Sequence, residues 1–375
     1  MTKTEIFPPI AIDRPARLVF GWGRVGEVGD FAHATGAHRT LVIADAFNAD
    51  RVGLLNLPGE VTTFGTVKPE PDIENLESAR EAAAACAPDL VVGFGGGSAM
   101  DLAKLVAVLV GRDHKLSDIA GPNRAPVRTV DLVQVPTTAG TGSEAGIRSL
   151  ITDPETRSKV AVESRNMCAD LALIDPELTA TIPPAITATT GVDALAHCTE
   201  AFTSARAHPM IDLYAREGIR LAGQWLPVAV RNGTDQEART AMSLASLYGG
   251  FCLGQVNTTA GHALSYPLGT RFGLPHGLAN ALIYPHTLAF NAPARPEKTA
   301  EIARALGVAE SGSMKADVTA FCRDLGIEMS LAANGVTAQD LDGMAEEAAA
   351  IRRLLDWNPR DIGKDDIRAI YEEAL

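Results

Sequence analysis

Close to residue 182 the apolar residues change period, and that change limits the fold more than any single motif does. Before it, short β-branched runs alternate with helical stretches. Thr40–Asp45 and Leu90–Gly95 read as buried strands, with 61–64, 132–135 and 171–174 as further strands and 73–87 as a helix between two of them. After Asp175-Pro-Glu-Leu and Pro183-Pro184, long Ala/Leu/Glu-rich stretches take over at 187–203, 208–230, 235–252, 296–306 and 337–356. Alternation of this kind builds a parallel sheet flanked by helices, and paired prolines cannot continue a helix. We therefore expect an α/β domain over 1–182 and an all-helical domain over 183–375. A chain of 375 residues also exceeds what one hydrophobic core organises.

Charge narrows the partners. A formal net charge of −13 gives no basic footprint for phosphate backbones or anionic lipid, so neither nucleic acid nor membrane is expected as a partner. The N-terminal Met1-Thr-Lys-Thr-Glu-Ile-Phe-Pro-Pro has no unbroken apolar run, and no window approaches the ~20 apolar residues of a membrane span. A cytoplasmic protein is expected. Its five cysteines are scattered and never in a C-x-x-C pair, which predicts free thiols rather than a disulfide framework or thiolate zinc.

The strand Leu90–Phe94 runs into Gly95, Gly96, Gly97, Ser98 and, three residues on, Asp101, and then into an apolar helix. Glycines let the backbone approach a ligand, and the N–H groups at a helix start favour an anion such as a pyrophosphate. A tight turn with a Ser98-x-x-Asp101 capping box is the plainer alternative. Neither G-x-G-x-x-G nor a P-loop is present. A second turn, Pro136 to Glu144, follows another strand and offers the hydroxyls of Thr137, Thr138 and Thr141. Open α/β sheets bind ligands along this carboxyl edge. Asp45 ends its strand where an acid accepts from a ribose diol and repels a 2′-phosphate, which favours NAD over NADP; capping of the next segment is the alternative.

Asp193 and His197, four residues apart in a helical stretch, share one face and can grip one ion, although such a pair is more often a local hydrogen bond. The segment 260–277 adds His262 and His276. One carboxylate and three imidazoles suit a divalent first-row metal such as Fe²⁺ or Zn²⁺. His33, His38, His114 and His208 read as surface residues, and His286 as structural.

Six segments occur in a telling order: Phe20-Gly-x-Gly23, Gly95-Gly-Gly-Ser-x-x-Asp101-x-Ala-Lys104, Pro136-Thr-Thr-Ala-Gly-Thr-Gly-Ser-Glu144, Asp175-Pro, Gly191-Val-Asp-Ala-x-x-His197 and Pro275-His-Gly277. Over residues 18–300 the chain resembles the iron-containing (group III) alcohol dehydrogenases, a superfamily that includes glycerol dehydrogenase and dehydroquinate synthase. The resemblance implies a nucleotide-binding α/β domain followed by a helical domain, a homodimer or higher homo-oligomer, and a small alcohol or aldehyde substrate exchanging hydride with NAD. It implies Asp193, His197, His262 and His276 as metal ligands, and segments 95–98 and 137–141 as cofactor loops. Lys159 matches the lysine that reaches the nicotinamide ribose. Two departures stand out. Tyr266 replaces the histidine usual four residues after the third ligand in members acting on simple alcohols, which leaves the substrate open and makes Tyr266 a candidate for orienting it or relaying a proton. Glu70, between two prolines, replaces the usual Asn.

Rival chemistries separate on further features. A dehydroquinate synthase-like lyase needs a basic phosphate pocket, and residues 183–290 carry few lysines. A hydroxyacid–oxoacid transhydrogenase would keep its cofactor bound rather than release NADH. A binding or scaffold protein, or a metal-free reductase resembling maleylacetate reductases, has no use for a complete four-ligand set.

Overall fold

The computed structural model describes residues 9–155, 158–308 and 312–375. Residues 1–8, most of the stretch read for a leader, lie outside that range. The described chain divides into two compact units. One comprises Asp13–Pro183 with Asn232–Ser243, and the other Pro184–Arg231 with Leu244–Leu375 and residues 9–12.

The first unit is built on a six-stranded sheet. Its strands are β1 (Arg17–Phe20), β2 (Arg39–Ala44), β3 (Glu60–Phe64), β4 (Leu90–Gly95), β6 (Asp131–Pro136) and β9 (Leu171–Ile174). They are ordered β1-β9-β6-β4-β2-β3, and every pairing is parallel. Both faces are covered, which is why the central strands read as apolar runs, interrupted in β6 only by the buried Gln134. Leu41, Ile43, Val91 and Leu132 feed one core cluster, while Val42, Ala44, Leu90, Val92, Phe94, Val133 and Val135 feed the other. Alternation along each strand thus splits its residues between two cores.

Strand order reverses between β2 and β4. From β2 the chain moves outward to β3, and from β4 it moves the opposite way to β6. Such a switch leaves a crevice at the carboxyl ends of the two strands. The register pairs Ala44 with Phe94, so Asp45 and Gly95 flank that crevice.

A second, three-stranded sheet was not foreseen. β7 (Arg148–Asp153) and β8 (Ser158–Glu163) form an antiparallel pair, and β5 (Gly121–Pro122) lies parallel to β8. Only Ser149 and Ile151 of β7 and Val162 of β8 are fully buried, and polar side chains are mixed with apolar ones, so no apolar run marks them.

The second unit is helical over Pro184–Thr203, Pro209–Arg231, Ala260–Phe272, His276–Asn291, Pro296–Leu306, Met314–Asp324, Leu341–Ala349, Arg352–Leu355 and Lys364–Ala374. The single helix expected over 337–356 is two. Ile351, at ψ 57°, leaves helical backbone between them. His208, read as a surface residue, is buried, because its Nδ1 accepts the Met210 N–H (3.2 Å) at the start of the Pro209–Arg231 helix. Among the described residues no helix is long and apolar enough to cross a membrane. All five cysteines are free.

Candidate active site

In the α/β unit the two glycine- and threonine-rich turns meet at the sheet edge. The helix Gly97–Leu109 starts at Gly96, whose backbone is extended, and no side chain caps it. Ser98 is therefore not the N-cap of the alternative Ser98-x-x-Asp101 box. The helix begins earlier, and Ser98 Oγ instead accepts the Glu70 N–H at 3.3 Å. Ala99 and Met100 donate back to the Gly96 carbonyl, while the N–H groups of Gly97 and Ser98 precede any intrahelical acceptor.

Close packing fixes this turn against its neighbour. A Cβ on Gly97 would stand 2.7 Å from Thr141 Cγ2, so only glycine lets the two loops touch there. A Cβ on Gly96 would lie 3.5 Å from Thr138. Thr137 donates its N–H to the Gly95 carbonyl (2.9 Å), and its Oγ1 receives Asn48 Nδ2 (3.2 Å).

Asp45 caps the short helix Ala46–Ala49, accepting from Asn48 N (3.0 Å) and Asn48 Nδ2 (2.7 Å). The capping alternative is thus realised, with the carboxylate still at the switch-point crevice. Asp101 turns away from the loop edge. Its Oδ1 accepts Ser143 Oγ (2.5 Å) and its Oδ2 accepts Leu150 N (2.9 Å). Lys159 is ion-paired with Glu70 and donates to Thr152 Oγ1 at 2.9 Å. The unexpected Glu70 therefore meets a lysine.

The helical unit holds the second constellation. Asp193 and His197 come from the Pro184–Thr203 helix, His262 from Ala260–Phe272, and His276 opens His276–Asn291. Gly277 brings the last helix against the first, since a Cβ there would sit 2.8 Å from the Thr189 carbonyl. One donor atom from each of the four residues lies within 4.8 Å of the others. Asp193 Oδ1 is 3.7 Å from His197 Nε2, 3.5 Å from His262 Nε2 and 3.8 Å from His276 Nε2.

Electrostatics bind the group together. Burial, the largest influence on Asp193, pushes its carboxyl up, but the surrounding imidazoles outweigh it and hold the group far below the usual carboxylate range. His197 is driven down to about 4, by burial first, which keeps it neutral. For His262 burial acts the same way, yet the charges and hydrogen bonds of Glu200 and Asp193 prevail and raise it to about 10.

Two participants were missed in the sequence. Glu200, seven residues after Asp193 on the same helix, is buried, and its Oε1 is 2.6 Å from His262 Nδ1. Asn280, one turn after His276, sets its Nδ2 2.6 Å from Asp193 Oδ1 and 3.1 Å from Nε2 of both His262 and His276. That nitrogen marks a point on which three of the four donors converge. Helical spacing from the ligand residues was the available signal for both. Tyr266, one turn after His262, is buried with its ring 6.2 Å from that of His276, and its hydroxyl accepts from Arg353 Nη2 at 3.2 Å.

Both halves of the chain match known proteins. Residues 15–176 match the iron-containing alcohol dehydrogenase family, and residues 187–375 match the C-terminal part of the Fe-containing alcohol dehydrogenase family. The long-chain-alcohol dehydrogenase 1 of Geobacillus thermodenitrificans is 35% identical, with 96% of this chain and 97% of the relative covered. A crystal structure of 1,3-propanediol oxidoreductase superposes with a TM-score of 0.93 at 31% identity, covering 98% of this chain and 100% of that one. A sulfoacetaldehyde reductase from Bifidobacterium kashiwanohense, solved in complex with NAD⁺, gives 0.88 at 29% identity over 98% of this chain and 99% of that one. The matches run through both halves of the molecule, and on them this chain belongs to the iron-containing alcohol dehydrogenase family.

Proposed function

We propose that this chain is a metal-dependent, NAD-linked oxidoreductase acting on CH–OH donors, interconverting a small alcohol with its aldehyde or ketone. The observation that carries the reading is the convergence of Asp193, His197, His262 and His276 donor atoms within 4.8 Å. A carboxylate and three imidazoles suit Fe²⁺ or Zn²⁺. The donors also fit such an ion in detail. Glu200 engages Nδ1 of His262, so that Nε2 faces the other donors, and Nε2 of all three histidines lies within 3.8 Å of Asp193 Oδ1. The N–H donors of the Asn280 amide already sit among them.

When bound, the metal supplies Lewis-acid polarisation of the substrate oxygen and the nicotinamide supplies or accepts the hydride. The chain's own residues do the rest. The four donors fix the metal, and Glu200 and Asn280 hold the donors. Tyr266, beside His276, orients the substrate. In the α/β unit the backbone of Gly95, Gly96 and Gly97 approaches the pyrophosphate, with Ser98, Thr137, Thr138 and Thr141 supplying hydroxyls. Asp45 accepts from the adenosine ribose and disfavours a 2′-phosphate, and Lys159 reaches the nicotinamide ribose. Asp101 acts through the loop, tying Ser143 and Leu150 to the helix that carries the glycines.

We assign residues 1–182 to NAD binding and 183–375 to metal and substrate. We assign the chain to the cytoplasm and to a homodimer or higher homo-oligomer, the latter being the state that the family resemblance favours; no helix among the described residues is long and apolar enough to span a membrane. The test is an NADH absorbance screen over small aldehydes, hydroxy acids and diols with Fe²⁺ or Zn²⁺ added. Turnover should depend on the metal and disappear in His262→Ala, while NADH still binds. Undiminished turnover in that variant would sink the metal mechanism, and NADH released into solution separates the reading from a transhydrogenase.

A further inference from the structure

The four donors are not equally enclosed. The side chains of Asp193, His197 and His262 are 2–4% exposed, whereas that of His276 is 27% exposed, so the cluster opens on the His276 side. Tyr266 is the neighbour of this exposed donor, with its ring 6.2 Å from the His276 ring. Over the tyrosine lies Arg353, an exposed residue of the short Arg352–Leu355 helix. Its guanidinium carbon is 5.6 Å from the ring centroid and its Nη2 is 3.2 Å from the phenol oxygen.

The charge of this arginine is unspent. Neighbouring arginines are neutralised, Arg352 by Asp356 and Arg271 by Glu347. Among the described residues Arg353 has no carboxylate partner. A tyrosine ring and hydroxyl hold a guanidinium in place without cancelling its charge, and its remaining N–H donors form a planar fork that matches an oxyanion. A cation so held, one tyrosine away from the most exposed donor, His276, favours an anion on the molecule that enters.

We propose that Arg353, held over Tyr266, recognises a carboxylate or sulfonate on the substrate, so that the preferred substrate is a short aldehyde or alcohol with an anionic group at its other end. This rests on the oxidoreductase reading and narrows it. Arg353 is then a specificity-determining residue, acting on binding more than on the chemical step.

The experiment compares NADH-dependent reduction of three aldehydes of similar length, one neutral, one bearing a carboxylate and one bearing a sulfonate. The metal-loaded wild type, Arg353→Gln and Arg353→Lys are assayed side by side. Wild type should favour an anionic aldehyde over the neutral one, and whichever anion is favoured identifies the group. In Arg353→Gln the ratio of kcat/KM, anionic over neutral, should fall by about ten-fold or more, mainly through KM. Arg353→Lys should recover part of the ratio, because it keeps the charge but not the fork. A ratio that stays within roughly two-fold in Arg353→Gln, or a wild type that prefers the neutral aldehyde, overturns the proposal while the oxidoreductase reading stands. If no aldehyde oxidises NADH, that reading fails and takes the proposal with it.

Discussion

Glu200 Oε1 and His262 Nδ1 stand 2.6 Å apart inside the helical unit, a buried carboxylate against a buried imidazole. The other carboxylate oxygen accepts the Thr259 N–H (2.6 Å) and hydroxyl (3.1 Å), so Glu200 is itself fixed at the turn that launches the Ala260–Phe272 helix. A carboxylate on the far nitrogen sets the tautomer of a ligating histidine and makes its near nitrogen more basic. Glu200→Gln keeps a hydrogen-bond acceptor and removes the charge. Divalent-metal affinity should drop ~10–100-fold, as read by competition against a chromophoric chelator, with far-UV circular dichroism unchanged. An affinity equal to wild type would show that the pair is only structural.

The same pair illustrates what a sequence discloses. Asp193, His197 and Glu200 fall on one helix face, so spacing alone offered Glu200. Yet an acid one turn from a histidine is common, and only the tertiary approach of His262 gives it a task. Asn280 was hidden in the same way, one turn after His276. Arg353 carried no signal at all, since its meeting with Tyr266 spans 87 residues and depends on how two helices pack. Strands β2, β4 and β9 were legible because burial along nearly their whole length demands unbroken apolar runs, and in β6 only the buried Gln134 breaks the run between Leu132 and Val135. The β7–β8 pair was not legible, because partial burial asks for no such run.

Asp45 carries two duties that one substitution separates. Its carboxylate caps the Ala46–Ala49 helix through Asn48 N, and asparagine is as good a cap as aspartate. Asp45→Asn should therefore fold with little loss of stability while removing the negative charge that repels a 2′-phosphate. The kcat/KM ratio for NADPH over NADH should rise by about ten-fold. Steady-state rates with the two cofactors check this, and an unaltered ratio would leave Asp45 as a cap and no more.

Glu144 offers a test that depends on pH rather than on turnover. Its carboxyl is buried, its Oε2 has no hydrogen-bond partner among the described residues, and burial pushes it up to about 7 from the usual 4.5. The nearby Lys104 ammonium, itself fully buried, pulls the other way without prevailing. Because the folded group keeps its proton after the unfolded one has lost it, the native state binds more protons between pH 4.5 and about 7. Stability must then fall as pH rises through that window and level off above it. The full cost is on the order of 3 kcal/mol. Glu144→Gln cannot ionise and lacks this cost. Its melting temperature should lie near that of wild type at about pH 5 and well above it at about pH 7.5. A gap that does not widen with pH would mean that the carboxyl ionises inside the fold at little cost, with Lys104 as its counter-charge.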